Sequence, residues 1–328
     1  MPLVSVLIPT YNRRHFVLDA ISSALLQTMQ DIEVIVVDDG STDGTREAVA
    51  QVDDARLTYL PHGMNQGEAA SRNTALAAAS GEYVAWLDSD DVARPNRLEA
   101  QVAFLKQHPE VAMVGSAAGK LRPDGRRKAG RRLPPLEHEL IAAWLVFRSP
   151  FQQSSLTGRA DILRQYRYDS AFPVCCDVDV VQRLCRDHRL ANIPDTLVDR
   201  RLHSGQMVRQ YDREIVETKA RICRPELALL GVDPTPEEAR RHALLGKANL
   251  LGFEIEDDFL DWTRLWLMRL KAQNRRTSAL DVPSFDIACA YVWALACRGV
   301  GGLEGLRGFA SPLWLPLASP KAVRWFSR

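Results

Sequence analysis

Charge in excess of either sign is missing from this sequence. Its 42 lysines and arginines face 41 aspartates and glutamates, a net of +1, which removes the electrostatic argument for a nucleic-acid partner. Cysteine is sparse: Cys175, Cys176, Cys185, Cys223, Cys289 and Cys297 make no CxxC pair and no zinc-type spacing. Most lie among apolar residues and read as buried free thiols of a reducing compartment. No run of about 18 uninterrupted apolar residues exists, which argues against a membrane-spanning helix. Met1-Pro2-Leu3 leads straight into a strand-like segment without the basic and apolar regions of a secretion signal. The expected location is the cytoplasm. Internal repeats and low-complexity tracts are absent as well.

What is present is an ordinary globular composition, 46% hydrophobic and 25% charged over 328 residues, enough for one large domain and a smaller appendage. The first hundred residues alternate strand and helix signals. Residues 4–8 are a short β-branched apolar run stopped by Pro9, and residues 14–28 carry Phe16, Ala20, Ile21, Ala24 and Leu25 at helical spacing. Residues 32–37 are almost wholly apolar, as suits a parallel strand buried on both faces. Ser41 or Thr42 is the expected N-cap of the next helix. Residues 57–60 read as a strand, 69–79 as a helix closed by Gly81, and 83–87 as another buried strand. The fold class this predicts is α/β, with a mostly parallel, Rossmann-like sheet flanked by helices. Beyond residue 110 the pattern loosens into a basic hairpin or loop at 120–132, a helix near 137–147, a polar segment and a helix at 177–188. After about residue 210 only helical signals remain, so the expected division is a core over 1–210 and a helical C-terminal region over 211–328.

Sheets of this kind bind ligands beyond the carboxyl ends of their strands. Thr10 and Tyr11 follow the first strand, Asp38 and Asp39 the second, and Asp88, Ser89, Asp90 and Asp91 the fourth. Three polar clusters therefore converge on one rim. Asp88-Ser89-Asp90 offers the oxygen ligands that Mg²⁺ and Mn²⁺ prefer, with coordination positions left for substrate phosphates. Taken alone, such a triplet is more often a solvated acidic turn.

Four segments carry a resemblance: Val4-Ser5-Val6-Leu7-Ile8-Pro9-Thr10-Tyr11-Asn12, Val36-Val37-Asp38-Asp39-Gly40-Ser41-Thr42-Asp43, Ala70-Ser71-Arg72-Asn73, and Gly81 through Asp91. Their order and spacing resemble the family 2 glycosyltransferases of GT-A fold, strongly over residues 3–105 and less so over 150–208. The resemblance implies an inverting, metal-dependent transfer of a sugar from a nucleotide-sugar donor, UDP-linked, to a glycan or lipid-linked acceptor hydroxyl. The biological setting it implies is bacterial exopolysaccharide, capsule or lipopolysaccharide synthesis. It implies further that Thr10 and Tyr11 line the base pocket, that Asp39 accepts from the base imide, and that Arg72 lies near the base or diphosphate. Asp88, with Ser89 beside it, approaches the ribose or the metal. Asp90 becomes the direct ligand of Mg²⁺ or Mn²⁺, and His203 in Arg201-Leu202-His203-Ser204-Gly205 a third ligand, although a loop histidine is as often merely hydrogen-bonded. Cys176-Asp177-Val178-Asp179 stands where the family has a Glu-Asp pair, so the resemblance makes Asp177 the general base. The departure is Cys176, in the glutamate's place. An N-capping aspartate is the plainer reading of Asp177, and Asp179 is the fallback base.

Gln152, Gln153, Ser154 and Ser155 fall where an acceptor-facing loop is expected. The basic run Lys120, Arg122, Arg126, Arg127, Lys128, Arg131 and Arg132 reads first as a solvated face and second as a contact for acidic glycan or phospholipid headgroups. Phe259, Leu260, Trp262, Leu265, Trp266, Leu267 and Leu270 fit a packed helical cap. Phe309, Leu313, Trp314, Leu315, Leu317, Val323, Trp325 and Phe326, interleaved with Lys321, Arg324 and Arg328, fit a cap or a peripheral contact with the inner face of the cell membrane. Two other functions stay open. A nucleotidyltransferase would want a Gly-rich basic loop where Pro9-Thr10-Tyr11-Asn12 stands. A catalytically silent nucleotide- or glycan-binding module draws support from Cys176, and Asp90 and Asp177 argue against it.

Overall fold

The computed structural model describes residues 1–203, 212–247, 250, 253, 256–300 and 312–318. The chain divides into two compact units, residues 1–134 with 151–210, and residues 135–150 with 211–328. The segment 135–150 therefore belongs with the C-terminal helices and not with the core into which the sequence reading put it.

In the first unit, β1 (Val4–Thr10) lies between β2 (Ile32–Asp38) and β4 (Tyr83–Trp86), with β3 (Leu57–Pro61) outside β2, all parallel. These strands are the apolar runs read from the sequence. The sheet then continues through β8 (Thr157–Arg159), antiparallel to both β4 and β6 (Val111–Leu121). Next comes β9 (Arg189–Arg201), parallel to β6, and β5 (Val92–Ala93), antiparallel to β9, while β7 (Arg127–Arg132) forms the expected hairpin with β6. The sheet is mixed, with its parallel half first.

The second half escaped the sequence reading because β6 is built of small residues that do not favour strands. Their smallness has a cause across the ladder. A Cβ on Gly115 would lie 2.3 Å from Asn192 Oδ1, and one on Gly119 2.1 Å from Asp199 Oδ1. Both polar side chains come from β9 and are buried. The β6–β9 register also shifts between Ser116 and Ala117, opposite Ile193 and Thr196, where Pro194 cannot donate to the ladder.

Helices α1 (Val17–Leu25), α2 (Thr45–Val49), α3 (Glu68–Ala78) and α4 (Arg97–Gln107) flank this sheet, and α5 (His138–Leu145) and the short α6 (Ala160–Leu163) follow in the chain. Two local expectations differ from the structure. The N-cap of α2 is Gly44, not Ser41 or Thr42, since the Ser41 and Thr42 N–H groups donate instead to Asp38 Oδ1 and Asn12 Oδ1. Gly81 does not cap α3, whose C-cap is Ala79. Its lack of a side chain serves close packing on Ser5, whose backbone N would stand 2.8 Å from an added Cβ.

The seam between the two halves of the sheet is closed by a polar pair on α4. Arg97 is fully buried. Its Nη2 donates to the carbonyls of Trp86 (2.8 Å) and Leu156 (3.1 Å), and its Nε to Gln101 Oε1. Gln101 Nε2 donates in turn to the carbonyls of Val114 and Ser155. Burial pulls the Arg97 guanidinium down to about 9, with Asp88 and Asp91 opposing that.

The second unit has its own core, in which Trp144, Phe147, Leu227, Trp266, Leu270, Phe285 and Trp293 are buried. His242 ties it together, 2.8 Å through Nε2 from the Val146 carbonyl and accepting at Nδ1 from Trp266 Nε1. Burial holds its pKa down at about 4, so the ring is neutral and structural. Of the 259–270 cluster, Phe259, Trp266, Leu267 and Leu270 are buried in this core, Leu260 and Trp262 are partly buried against it, and Leu265 is exposed. Of the 309–328 cluster, Phe309, Val323, Trp325 and Phe326, with Lys321, Arg324 and Arg328, lie outside the described residues. Leu313 is buried and Leu315 exposed. Among the described residues no helix is long and apolar enough to cross a membrane. None of the six cysteines is in a disulfide, and all but Cys175 are buried.

Arg97→Met leaves two buried carbonyls without their donor, each worth about 1–3 kcal/mol. The expected loss is about 2–4 kcal/mol of stability, read as a lower urea midpoint with an unchanged slope.

Candidate active site

The rim begins where β1 and β2 end. Thr10 pairs with Asp38, and the Asp39 N–H donates to the Thr10 carbonyl at 2.9 Å. Gly40 sits at φ +77°, where an added Cβ would come within 2.7 Å of the Met64 backbone, so only glycine fits this turn. Asn12, at φ +51°, bridges the two strand ends: its N–H donates to Ser41 Oγ and its Oδ1 accepts from Thr42 N. Asp39 is buried and held from three sides. Its Oδ1 accepts from Gln66 N and lies 2.7 Å from His62 Nδ1, while Oδ2 accepts from Gly67 N. One acceptor position on Oδ2 remains. Thr10 is buried, with a hydroxyl that has no partner, and the Tyr11 ring is 44% exposed.

Past the end of β4 the three carboxylates of Asp88, Asp90 and Asp91 take different partners. Asp91 is buried, accepting from Ser154 Oγ (2.5 Å) and the Arg201 N–H (3.0 Å). Burial, then the charges of Asp90 and Asp88, push its carboxyl well above the usual range. Asp88 keeps 28% of its side chain exposed. It accepts from Arg72 Nη2 (3.0 Å) and from Ser154 Oγ (3.1 Å), and burial raises it against the pull of Arg72. Asp90 turns the other way, its Oδ2 2.8 Å from His203 Nε2. Burial acts to raise Asp90, but His203 and Arg13 bring it below the ordinary value. His203 packs on Phe16 (4.8 Å between ring centroids), and Arg201 donates to the Asp90 carbonyl and to Asp19.

The structure thus brings Asp90 and His203 together and commits Asp88 to Arg72 and Ser154. Among the described residues no three His, Cys, Asp or Glu side chains are grouped to hold a metal ion. The Asp90–His203 pair supplies one oxygen and one nitrogen, a donor set that Mg²⁺ or Mn²⁺ can share with phosphate oxygens and water. Ser89, between Asp88 and Asp90, is buried.

Arg72 projects from α3 and is only 3% exposed. It donates to Glu68 Oε1 through Nε (3.0 Å) and Nη2 (2.5 Å) and lies over the rings of Trp86 (5.3 Å) and Tyr168 (5.8 Å). Its Nη1 is buried without a partner, a donor suited to an anionic oxygen. Asn73 holds Tyr168 in place by exchanging two hydrogen bonds with its backbone. Glu68 and Tyr168 were not singled out from the sequence. The i,i+4 spacing of Glu68 and Arg72 was the available signal for the first; Tyr168 carried none.

Helix α7 (Cys176–Asp187) begins after Cys175, which is held at φ +62°. Strain of this kind in a non-glycine residue often marks a functional site, and here it presents Asp177 in the first turn. Burial, then the charges of Glu68 and Asp88, lift the Asp177 carboxyl to about 6, with Arg72 pulling it down. Burial pushes the neighbouring Cys176 thiol far up, so it is neutral and supplies none of a glutamate's charge. Asp179 is engaged with Arg183 at 2.8 Å, which sets it apart from Asp177. The expected acceptor-facing loop is different from its reading. Ser154 and Ser155 are fully buried; they brace Asp88, Asp91 and Ser116 from behind.

Residues 5–167 match the family described as glycosyl transferase family 2. An uncharacterized glycosyltransferase of Haemophilus influenzae is 30% identical over 247 residues, covering 71% of this chain and 76% of that protein. The Escherichia coli UDP-Glc:alpha-D-GlcNAc-diphosphoundecaprenol beta-1,3-glucosyltransferase WfgD is 41% identical over 114 residues, 35% of this chain and 45% of that protein. Of solved structures, S. aureus TarS 1-349 in complex with UDP-GlcNAc shares the GT-A fold, with a TM-score of 0.58 at 18% identity over 94% of this chain and 89% of that one. By these likenesses the chain belongs to glycosyl transferase family 2.

Proposed function

We propose that the chain transfers a sugar from a UDP-linked donor to a hydroxyl of a glycan or lipid-linked acceptor, with inversion at the anomeric carbon. The observation that carries this reading is Asp177, a carboxyl poised at about 6 beside Glu68, Arg72 and Asp88. Such a group is mostly ionised at neutral pH and accepts a proton more readily than an exposed aspartate. In this reading Asp177 takes the acceptor proton as the oxygen bonds to the anomeric carbon, and the bond to the diphosphate breaks on the opposite face. Tyr11 stacks on the base, Thr10 lines its pocket, and the remaining Oδ2 position of Asp39 accepts the imide N–H. Arg72 Nη1 donates to the diphosphate, while Asp88 and Ser89 approach the ribose. Asp90 and His203 would hold Mg²⁺ or Mn²⁺, which when bound neutralises charge on the leaving diphosphate.

Similar proteins support the finer points. TarS is solved with UDP-GlcNAc, and WfgD is named for UDP-Glc and a diphosphoundecaprenol-linked acceptor. Every residue invoked lies in the unit formed by 1–134 and 151–210, which supports a catalytic domain ending near 210 with helices beyond it. A lipid-linked acceptor would bring the chain to the cytoplasmic face of a membrane.

Release of UDP from a panel of UDP-sugars, with Mn²⁺ or with EDTA, tests the reading. Metal-dependent release that Asp90→Ala and His203→Ala abolish is expected; no cleavage and no donor-induced rise in melting temperature would favour the silent module instead. Asp177→Asn should lower the transfer rate by about 10²–10⁴-fold while donor affinity, read by calorimetry, stays within a factor of about three. Because the base works unprotonated, kcat/KM should fall about tenfold per pH unit below about 6. Glu68→Gln removes a negative neighbour that raises Asp177, so the acid limb should move to lower pH; an unmoved or higher limb would contradict the assignment.

A further inference from the structure

The basic hairpin takes no part in the transfer chemistry, and its charges are placed at a cost. β6 and β7 pair so that Lys120 stands directly opposite Lys128, and like charges facing each other across an antiparallel ladder are destabilising. Among the described residues neither lysine has a carboxylate partner, and both are exposed. They border a cavity of about 280 Å³ lined also by Arg94, Arg127, Gly119 and Asp199. That is below the roughly 300–1,000 Å³ typical of sites for drug-sized ligands, and roomy for a single phosphate group.

Asp199 organises the cavity. It is 1% exposed and accepts from Arg94 Nη2 at 2.9 Å and from Arg127 Nε at 2.9 Å. Gly119 is what lets it reach that position, since a Cβ there would lie 2.1 Å from its Oδ1. One buried carboxylate thus fixes two arginines while four cations surround the space. Arg94 engages Asp199 through Nε and Nη2 and Arg127 through Nε alone, so Arg94 Nη1 and both Arg127 Nη atoms remain as donors. Planar guanidinium forks of this kind suit phosphate oxygens.

We propose that this cavity is a binding site for a phosphate group, anchored by Arg94 and Arg127 and closed by Lys120 and Lys128. An anion between the two lysines turns their repulsion into attraction, which accounts for a pairing that is unfavourable on its own. The site is joined to the catalytic rim through the backbone, since Arg94 follows the Asp88–Asp91 turn and Asp199 precedes Arg201, whose N–H is bound by Asp91. The inference does not rest on Asp177 or on the identity of the donor. The phosphate can come from an anionic lipid headgroup or from a soluble or acceptor-borne phosphate, and the test separates these.

Full-length wild type and Lys128→Glu are compared at constant ionic strength. Lys128→Glu replaces the opposed lysines with an ion pair, so its melting temperature without ligand should equal or exceed that of the wild type. If it is lower, Lys120→Gln/Lys128→Gln takes its place. Inorganic phosphate should raise the wild-type melting temperature by about 4 °C at tenfold the dissociation constant, and the variant should lose that rise. In parallel, both proteins are sedimented with vesicles of phosphatidylcholine alone or of equal parts phosphatidylcholine and phosphatidylglycerol. Wild-type binding to the anionic vesicles only, weakened about tenfold or more in the variant, assigns the phosphate to a headgroup. A phosphate-induced shift without vesicle binding assigns it to a soluble or acceptor-borne group. A wild type that answers neither probe, or a variant that answers as fully as the wild type, overturns the site.

Discussion

A single buried carboxylate underlies the catalytic rim. Asp91 accepts the Ser154 hydroxyl and the Arg201 N–H, groups 63 and 110 residues away in sequence, and so draws the segment behind β8 and the end of β9 to the end of β4. A carboxyl taken out of water must be surrounded by donors or lose its charge. With Asp88 and Asp90 beside it, Asp91 is pushed strongly toward the neutral form. Its neighbours on the rim can then diverge, Asp88 toward Arg72 and Asp90 toward His203. His203 reaches Asp90 because Arg201, two residues earlier, is already fastened to Asp91 and to the Asp90 carbonyl.

The electrostatics of the site follow from how few cations serve its carboxylates. Arg72 is shared by Glu68 and Asp88 and also offsets part of the repulsion acting on Asp177. Burial, and then the charge of Glu68, lift the Asp177 carboxyl to about 6, and the shared Arg72 offsets only part of that rise. Cys176 contributes no negative charge here. Glu68, arriving from α3, acts on both Cys176 and Asp177 and supplies a carboxylate in the neighbourhood where the family pattern has one from α7. Elsewhere on β9 the same chemistry recurs with the signs exchanged, where one buried carboxylate, Asp199, positions both Arg94 and Arg127.

The strands that were legible are those whose burial on both faces leaves a continuous apolar run, as in Val4–Ile8 and Ile32–Val37. β6 and β9 were not legible. β6 had to be small at Gly115 and Gly119 to admit Asn192 and Asp199, and β9 is broken by Pro194, so neither has the composition of a typical strand. Arg97 and Gln101, which close the seam between the halves, look like ordinary polar residues of an amphipathic helix until their carbonyl partners on β4, β6 and β8 are seen. Ser154 and Ser155 were legible as special but not in their role, because burial cannot be read from a polar tetrapeptide.

Legible in the chain alone were the family, the presence of the first four strands, and the polar clusters at their ends: Thr10 and Tyr11, Asp38 and Asp39, and Asp88 to Asp91. Each of those follows from local signals: apolar runs with a strand's length, turns that demand Gly40, and short motifs in a required order. Legible only in the folded chain are the upward shifts that burial gives Asp88, Asp91 and Asp177, the meeting of Asp90 with His203, the place of 135–150 in the second unit, and the cationic cavity bordered by Lys120 and Lys128. Those depend on burial and on contacts between residues tens to more than a hundred positions apart, and proximity of that kind leaves no periodicity in the chain from which to read it.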